Sequence, residues 1–219
     1  MKSYGHYCGL ARALDVVGER WALLVVRELL EGPRRYRELL AGMPGVATNT
    51  LAERLDHLRD AGVVAHLDDG RYALTPWGEG LREAVYALGR WAGPLMARPR
   101  GDDAFRPQWI RHMAVARFDG HDPERRDLSI QIQVSAGDGD AAEPWGLVSA
   151  GGRVHLVPGP IAAPDVSLRG PVEPTVGLLL GRISAKVARE RGVRTGGDVR
   201  RLPGLRPRGE APRPTAAAR

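Results

Sequence analysis

The sequence predicts an α+β chain in two folded parts, and three observations carry that reading. The first hundred residues repeat apolar side chains at helical spacing and contain one short hairpin signal. Residues 128–134, Leu128-Ser129-Ile130-Gln131-Ile132-Gln133-Val134, alternate apolar and polar without a slip, as a half-buried strand must. Between the two, from Ala97 to Pro107, polar and turn-forming residues displace any period. With 219 residues the chain is long enough for two modest domains. The expected divisions are 1–97, a linker at 98–107, a second domain at 108–203 and a disordered basic Pro/Arg/Ala tail at 204–219, too poor in apolar residues to order itself.

In the first part, Leu10 to Val17 is a short apolar-periodic segment that stops at Gly18. Glu19 to Leu30 follows as a helix, with Trp21, Leu24, Val25 and Leu29 offered to a core and Arg27, Glu28 and Glu31 left wet. Gly32-Pro33 ends it. In Arg34 to Leu40, Tyr36, Leu39 and Leu40 make one short apolar face, and Gly42-Met43-Pro44-Gly45 turns the chain. The stretch Val46 to Gly62 then reads as a helix with Thr48 as N-cap and Gly62 as stop. Leu51, Leu55 and Leu58 form its buried stripe, while Asn49, Glu53 and His57 point away and Thr50 and Arg54 flank them. Two helices about so tight a turn, the second led by short polar side chains, fit a helix-turn-helix.

After Gly62 the period changes. Val63, Val64 and Leu67 lead into Asp68-Asp69-Gly70, and Arg71-Tyr72-Ala73-Leu74 returns, so a hairpin sits where a winged helix has its wing. Thr75 caps a further helix with Pro76 in its first turn, expected from Trp77 to Trp91. Its apolar positions Leu81, Val85, Leu88 and Trp91 exceed what a small core needs, and the surplus is assigned to a dimer surface.

The second part opens with a helix from Trp109 to Phe118, followed by the alternating strand, a turn at Gly137-Asp138-Gly139-Asp140, a hairpin of Trp145 to Val148 with Val154 to Val157, and a strand at Asp165 to Leu168. Helices are expected at Thr175 to Leu180 and Ile183 to Arg191, then Gly197-Asp198 and a short closing element. That order predicts an antiparallel sheet with helices on one side.

A formal charge of +6 and a pI near 10.1 favour a polyanionic partner, although much of the excess lies in the tail. One cysteine, Cys8, excludes an internal disulfide and suits a reducing compartment. No apolar run has membrane-spanning length and no secretory leader is evident, so a cytoplasmic protein without membrane partners is expected. His112, His121 and His155 are scattered, with no metal-ligand spacing, and neither a nucleophile elbow nor a phosphate-cradling glycine loop is present. The reading is therefore not an enzyme, with no cofactor and no metal.

The order Cys8, Ala11-Arg12-Ala13-Leu14, Gly18-Glu19-Arg20-Trp21, Arg27-Glu28-Leu29, Gly32-Pro33-Arg34-Arg35-Tyr36, Glu38-Leu39-Leu40, Leu51, Arg54-Leu55, Leu58, Ala61-Gly62-Val63-Val64, Tyr72-Ala73-Leu74-Thr75-Pro76 and Gly78 resembles the HxlR family of winged helix-turn-helix transcriptional regulators over residues 6–96. The resemblance implies a homodimer on a pseudo-palindromic operator. In such a module Arg34, Arg35 and Arg37 would pair with phosphates of double-stranded DNA. Thr48, Asn49, Thr50 and Arg54 would face base edges, Asn49 toward adenine and Arg54 toward guanine. His57 and the wing residue Arg71 would meet phosphates or the minor groove, whereas Glu53, Asp56 and Asp60 keep the rest of the helix off DNA. Related regulators place a cysteine where Cys8 stands, and some sense oxidants or electrophiles with it. Thiolate formation there would need a lowered pKa, with His6 and Arg12 as local sources.

Pro164 to Leu168, Val176 to Arg182 and Gly196-Gly197-Asp198 resemble, through short motifs, sterol-carrier-protein-like lipid-binding domains over residues 108–203. That likeness implies an apolar pocket for a small hydrophobic effector, with Trp109, Met113, Phe118, Trp145 and Leu179 as candidate lining residues. The expected function is a ligand-responsive transcriptional regulator, more a repressor than an activator. The alternatives are an architectural or protein-interaction winged helix with a purely structural second domain, or a lipid carrier.

Overall fold

A computed structural model of the chain describes residues 3–93, 95, 101–118, 125–135 and 143–205. The chain forms two compact units, Met1–Leu88 and Gly89–Arg219. The predicted turn at residues 137–140, His121, linker residues 98–100 and the tail from Arg206 onward lie outside the described residues.

The first unit runs α1 (Gly9–Val17), α2 (Ala22–Leu29), β1 (Arg34–Arg35), α3 (Tyr36–Gly42), α4 (Thr48–Asp60), β2 (Val64–His66), β3 (Arg71–Leu74), α5 (Pro76–Glu79) and the start of α6 (Arg82–Trp91). The leucine stripe of α4 is fully buried at Leu51, Leu55 and Leu58, with Val25, Val26, Leu29 and Leu39 in the same class of burial. Gly62 at φ 75 stops the helix as expected, because a left-handed residue after the last turn suits glycine.

Five details of the first unit depart from the sequence reading. α2 begins at Ala22 rather than Glu19, since Trp21 takes a left-handed φ of 80 that no helix continues. Within α2, Leu24 is exposed and Val26 takes its place in the core; Glu28, expected in water, is buried and accepts hydrogen bonds from Arg27 at 2.7 and 3.1 Å. Arg34–Arg35 is a strand that pairs antiparallel with β3, giving a sheet ordered β1-β3-β2. Thr48 is not the cap: extended Ala47 precedes the helix, and Thr48 is its first residue. The single helix predicted from Trp77 to Trp91 is two helices, broken after Glu79. Thr75 does cap α5, its Oγ1 accepting from the Gly78 amide at 3.0 Å.

The second unit holds α7 (Pro107–Phe118), β4 (Leu128–Ser135), β5 (Trp145–Ala150), β6 (Arg153–Pro158), β7 (Val166–Pro171), α8 (Val172–Leu179), α9 (Ala185–Glu190), β8 (Arg194–Gly197) and a 3-10 turn (Val199–Leu205). β4 buries every second residue, as its alternation demands. Leu128, Ile130, Ile132 and Val134 on that face share one core with Phe118 of α7, Leu179 of α8 and Ala188 of α9, so the helices cover this side of the sheet. The sheet is not purely antiparallel. Its order is β6-β5-β4-β7-β8, and β4 runs parallel to β7, with Ile130 opposite Val166. The parallel pair arises because the chain leaving β6 crosses past β5 and β4 to reach β7, and Ile161 in that connection lies against Gly146 of β5. β8 is a strand that apolar pattern does not announce: Arg194-Thr195-Gly196-Gly197 joins through backbone pairing with β7.

Candidate nucleic-acid interface

The interface expected from the sequence begins at the turn between α3 and α4. Glu38 accepts the backbone N–H of Arg35 at 2.6 Å and so closes the exposed start of α3. Met43 and Val46 are buried beneath the turn, and Gly45 makes it at φ 86, facing the Trp21 ring. The Tyr36 hydroxyl donates to the Thr48 carbonyl at 2.7 Å, which fixes the first turn of α4 beside the first turn of α3. With its leucines turned inward, α4 leaves Thr48, Asn49 and Glu53 exposed or partly exposed along with Thr50. No acidic residue lies in the first turn of α4, and its backbone N–H groups there carry partial positive charge.

Arg34, Arg35 and Arg37 occupy β1 and the first turn of α3, and Arg35 stands exposed. Antiparallel pairing sets Arg35 directly opposite Arg71 of the wing. The strand missed in the sequence thus joins the helix-turn-helix arginines to the wing arginine in one sheet. Arg71 is not a free probe: its guanidinium donates to Asp69 at 2.7 Å, and that hydrogen bond raises the Arg71 pKa and lowers the Asp69 pKa. The His66 and Tyr72 rings pack against each other on the same hairpin, tilted by 36° with centres 4.7 Å apart.

Two predicted contact residues turn partly inward. Arg54 is largely covered and lies 3.8 Å from the Glu19 carboxylate, with a buried Nε that has no hydrogen-bond partner among the described residues. The His57 Nε2 lies 2.9 Å from the Val16 carbonyl at the end of α1, in a partly buried hydrogen bond. The helical wheel gave each its angle but not α1 and the α1–α2 loop, which pack along that flank. Asn49, Thr48 and Thr50 remain presented; Arg54 and His57 instead tie α4 to the preceding elements.

Cys8 is exposed and occupies the N-cap position of α1. Its thiol pKa is lowered, first by the backbone amide of Ala11 and then by that of Leu10, although the side chain closes no capping hydrogen bond. The source is the helix N-terminus rather than His6 or Arg12, which the sequence reading named. In the second unit, Phe118, Trp145 and Leu179 are core residues, and Trp109 and Met113 are partly exposed on α7. A cleft of about 310 Å³, lined by Arg126, Leu128, Asp198, Arg200 and Arg201, involves none of these five. Among the described residues no cluster of His, Cys, Asp and Glu is placed to hold a metal, and no helix is long and apolar enough to cross a membrane.

Residues 16–99 match the family described as HxlR-like helix-turn-helix. The chain is 37% identical over 109 residues to an uncharacterized HTH-type transcriptional regulator of Mycobacterium tuberculosis, covering 47% of this chain and 66% of that relative. The chain therefore spans about two thirds of the length of these mycobacterial relatives. To the uncharacterized HTH-type transcriptional regulator YvaP of Bacillus subtilis it is 32% identical over 87 residues, covering 37% of this chain and 81% of YvaP. Among solved structures, quinone-bound YodB from B. subtilis aligns at 30% identity with a TM-score of 0.37, over 38% of this chain and 94% of that one. With a helix-turn-helix, a wing and this sequence likeness all within its N-terminal part, the chain belongs to the HxlR-like helix-turn-helix family.

Proposed function

We propose that the chain is a DNA-binding transcription regulator that acts as a homodimer, each copy laying the first turns of α4 in the major groove of a pseudo-palindromic operator. The observation that carries this is the division of α4: its leucines are buried, and its N-terminal polar side chains Thr48 and Asn49 stand exposed beside a sheet bearing Arg34, Arg35 and Arg71. Phosphate contacts from the arginines set the register, and base-edge contacts from Thr48, Asn49 and Thr50 read sequence. Arg54 reaches a base only by leaving Glu19.

The regulator acts as a repressor, and two sites modulate it. At the start of α1, the exposed, amide-supported Cys8 thiol is poised for reaction with oxidants or electrophiles. The second unit takes a small hydrophobic effector; Trp145 Nε1 and Ser149 Oγ, both buried and without a hydrogen-bond partner among the described residues, are the polar groups such a molecule would satisfy. An effector releases DNA only if it binds the released geometry more tightly than the bound one.

The test is selection of bound fragments from genomic DNA by the purified protein, followed by a salt series on the selected and on random duplexes. Steep salt dependence with a retained preference for the selected sequence supports the reading. Equal affinity for both duplexes at every salt concentration defeats it.

A further inference from the structure

Residues 182–201 hold seven basic side chains against Glu190 and Asp198, so a net charge of five falls in one short stretch that is folded and lies ahead of the tail. This stretch forms α9 and β8, and β8 is an outer strand of the five-stranded sheet. Several of the basic groups are engaged: Arg189 donates to Thr195 Oγ1, Lys186 pairs with Glu190, Arg200 with Asp198, and Arg201 with Asp165. Arg191 and Arg194 are exposed and have no side-chain partner among the described residues; Arg169 on β7 is likewise exposed and unpaired there.

Register brings these three together. Arg169 lies directly opposite Arg194 in the antiparallel β7–β8 pair. At that cross-strand position, side chains start only about 4.5–5.5 Å apart and like charges repel. The next residue, Gly170, approaches so closely that a Cβ there would lie 2.8 Å from the Gly192 carbonyl oxygen, which places the Arg191 turn against the same corner. Two arginines therefore sit side by side across the β7–β8 pair and a third lies in the adjoining turn, none with a carboxylate paired to it among the described residues. A partner that spreads negative charge across this corner relieves the repulsion, and guanidinium groups fit phosphate oxygens.

We propose that the β7–β8 corner of the second unit binds the phosphate backbone of duplex DNA as a contact that reads no sequence. This rests on the proposed DNA-binding function, because the first unit would hold the same polyanion and make the second contact intramolecular. It adds affinity and salt dependence to every duplex and leaves discrimination to α4.

The experiment compares the full chain with R169Q/R191Q/R194Q and with R169K/R191K/R194K, measuring affinity for a random duplex and for the selected duplex across a salt series. In the glutamine variant, the slope of log affinity against log salt is expected to become shallower by about 2 to 3, at about 0.9 for each phosphate no longer neutralised. Its affinity for both duplexes should fall by the same factor, leaving the ratio between them unchanged, and the lysine variant should keep the wild-type slope. A glutamine variant with wild-type slope and affinity overturns the proposal. So does one that self-associates while binding DNA normally, since the arginines then only guard an edge strand. Failure of the wild-type chain to bind any duplex counts against the DNA-binding reading itself, whereas wild-type binding matched by the glutamine variant counts against this surface alone.

Discussion

Asn49 stands exposed at the second position of α4, with a side-chain amide that offers a donor and an acceptor together, the pair an adenine edge needs. Asn49→Ala should weaken binding to the selected duplex by about 1–3 kcal/mol while leaving random-duplex affinity and the melting temperature unchanged; fluorescence anisotropy with both duplexes checks it. Cys8 gives a pH-dependent prediction. The Ala11 and Leu10 amides favour the thiolate, so the folded-state pKa is lowered from the ordinary thiol value and the reactive form persists to lower pH than in the unfolded chain. Iodoacetamide alkylation of the native protein should therefore reach half its maximal rate at a lower pH than in urea. Matching profiles would show that the helix N-terminus exerts no influence on the thiol. A Cys8→Ser protein that keeps a full response to diamide removes the sensing role. The exposure of Asn49 on α4 was legible from helical spacing alone. Arg54 and His57 were not, because their surroundings come from Glu19 and Val16, far away in sequence and adjacent only in the fold.

Elements meet where side chains are small. Gly78 in α5 lies so close to the start of the wing that a Cβ would overlap the Val63 carbonyl oxygen, a backbone atom that cannot swing aside. Gly78→Ala must push α5 away from the base of the wing and should cost about 1–3 kcal/mol, as overpacking does; thermal unfolding measures it, and an unchanged melting temperature would show that α5 shifts freely. In the second unit, Asp165 accepts from the Ser129 amide and hydroxyl and from Arg201, joining β4, the start of β7 and the 3-10 turn. These hydrogen bonds, led by the Ser129 amide, hold its pKa at about 2 against an ordinary 3.8. A depressed carboxylate pKa stabilises the fold above the unfolded value, and the benefit is lost as pH falls from about 4 through 2. Asp165→Asn should lower stability at neutral pH by about 1 kcal/mol, discounted for solvent exposure, and flatten the decline in melting temperature over that acid window. The alternation of β4 announced its strand, whereas β1 and β8 carry arginines and glycines with no period; backbone pairing alone makes them strands.

For the whole molecule, exposed apolar side chains mark what one copy leaves unfinished. Leu10 is 69% exposed on α1 and Trp91 70% on α6, with Leu14 and Leu88 also uncovered. Sedimentation should give twice the 23.8 kDa of one chain, and Leu10→Glu with Leu14→Glu should shift it toward one copy, with operator affinity falling more than random-duplex affinity. Unchanged mass in that variant would place the dimer surface elsewhere.

Local residue order is enough for the elements whose apolar residues repeat with a regular period or whose turns carry their own chemistry: the leucine stripe of α4, the wing hairpin with its Asp-Asp-Gly turn, the cap at Thr75 and the alternating strand β4. Those patterns are local, since a period of 3.6 or 2 shows which face is buried whatever it meets. Long-range packing alone sets the left-handed turn at Trp21, the parallel pairing of β4 with β7, and the placing of Arg35 beside Arg71 and of Arg169 opposite Arg194. Each of these depends on which distant backbone segments pair or pack, a choice made by the fold as a whole and written in no single stretch of residues.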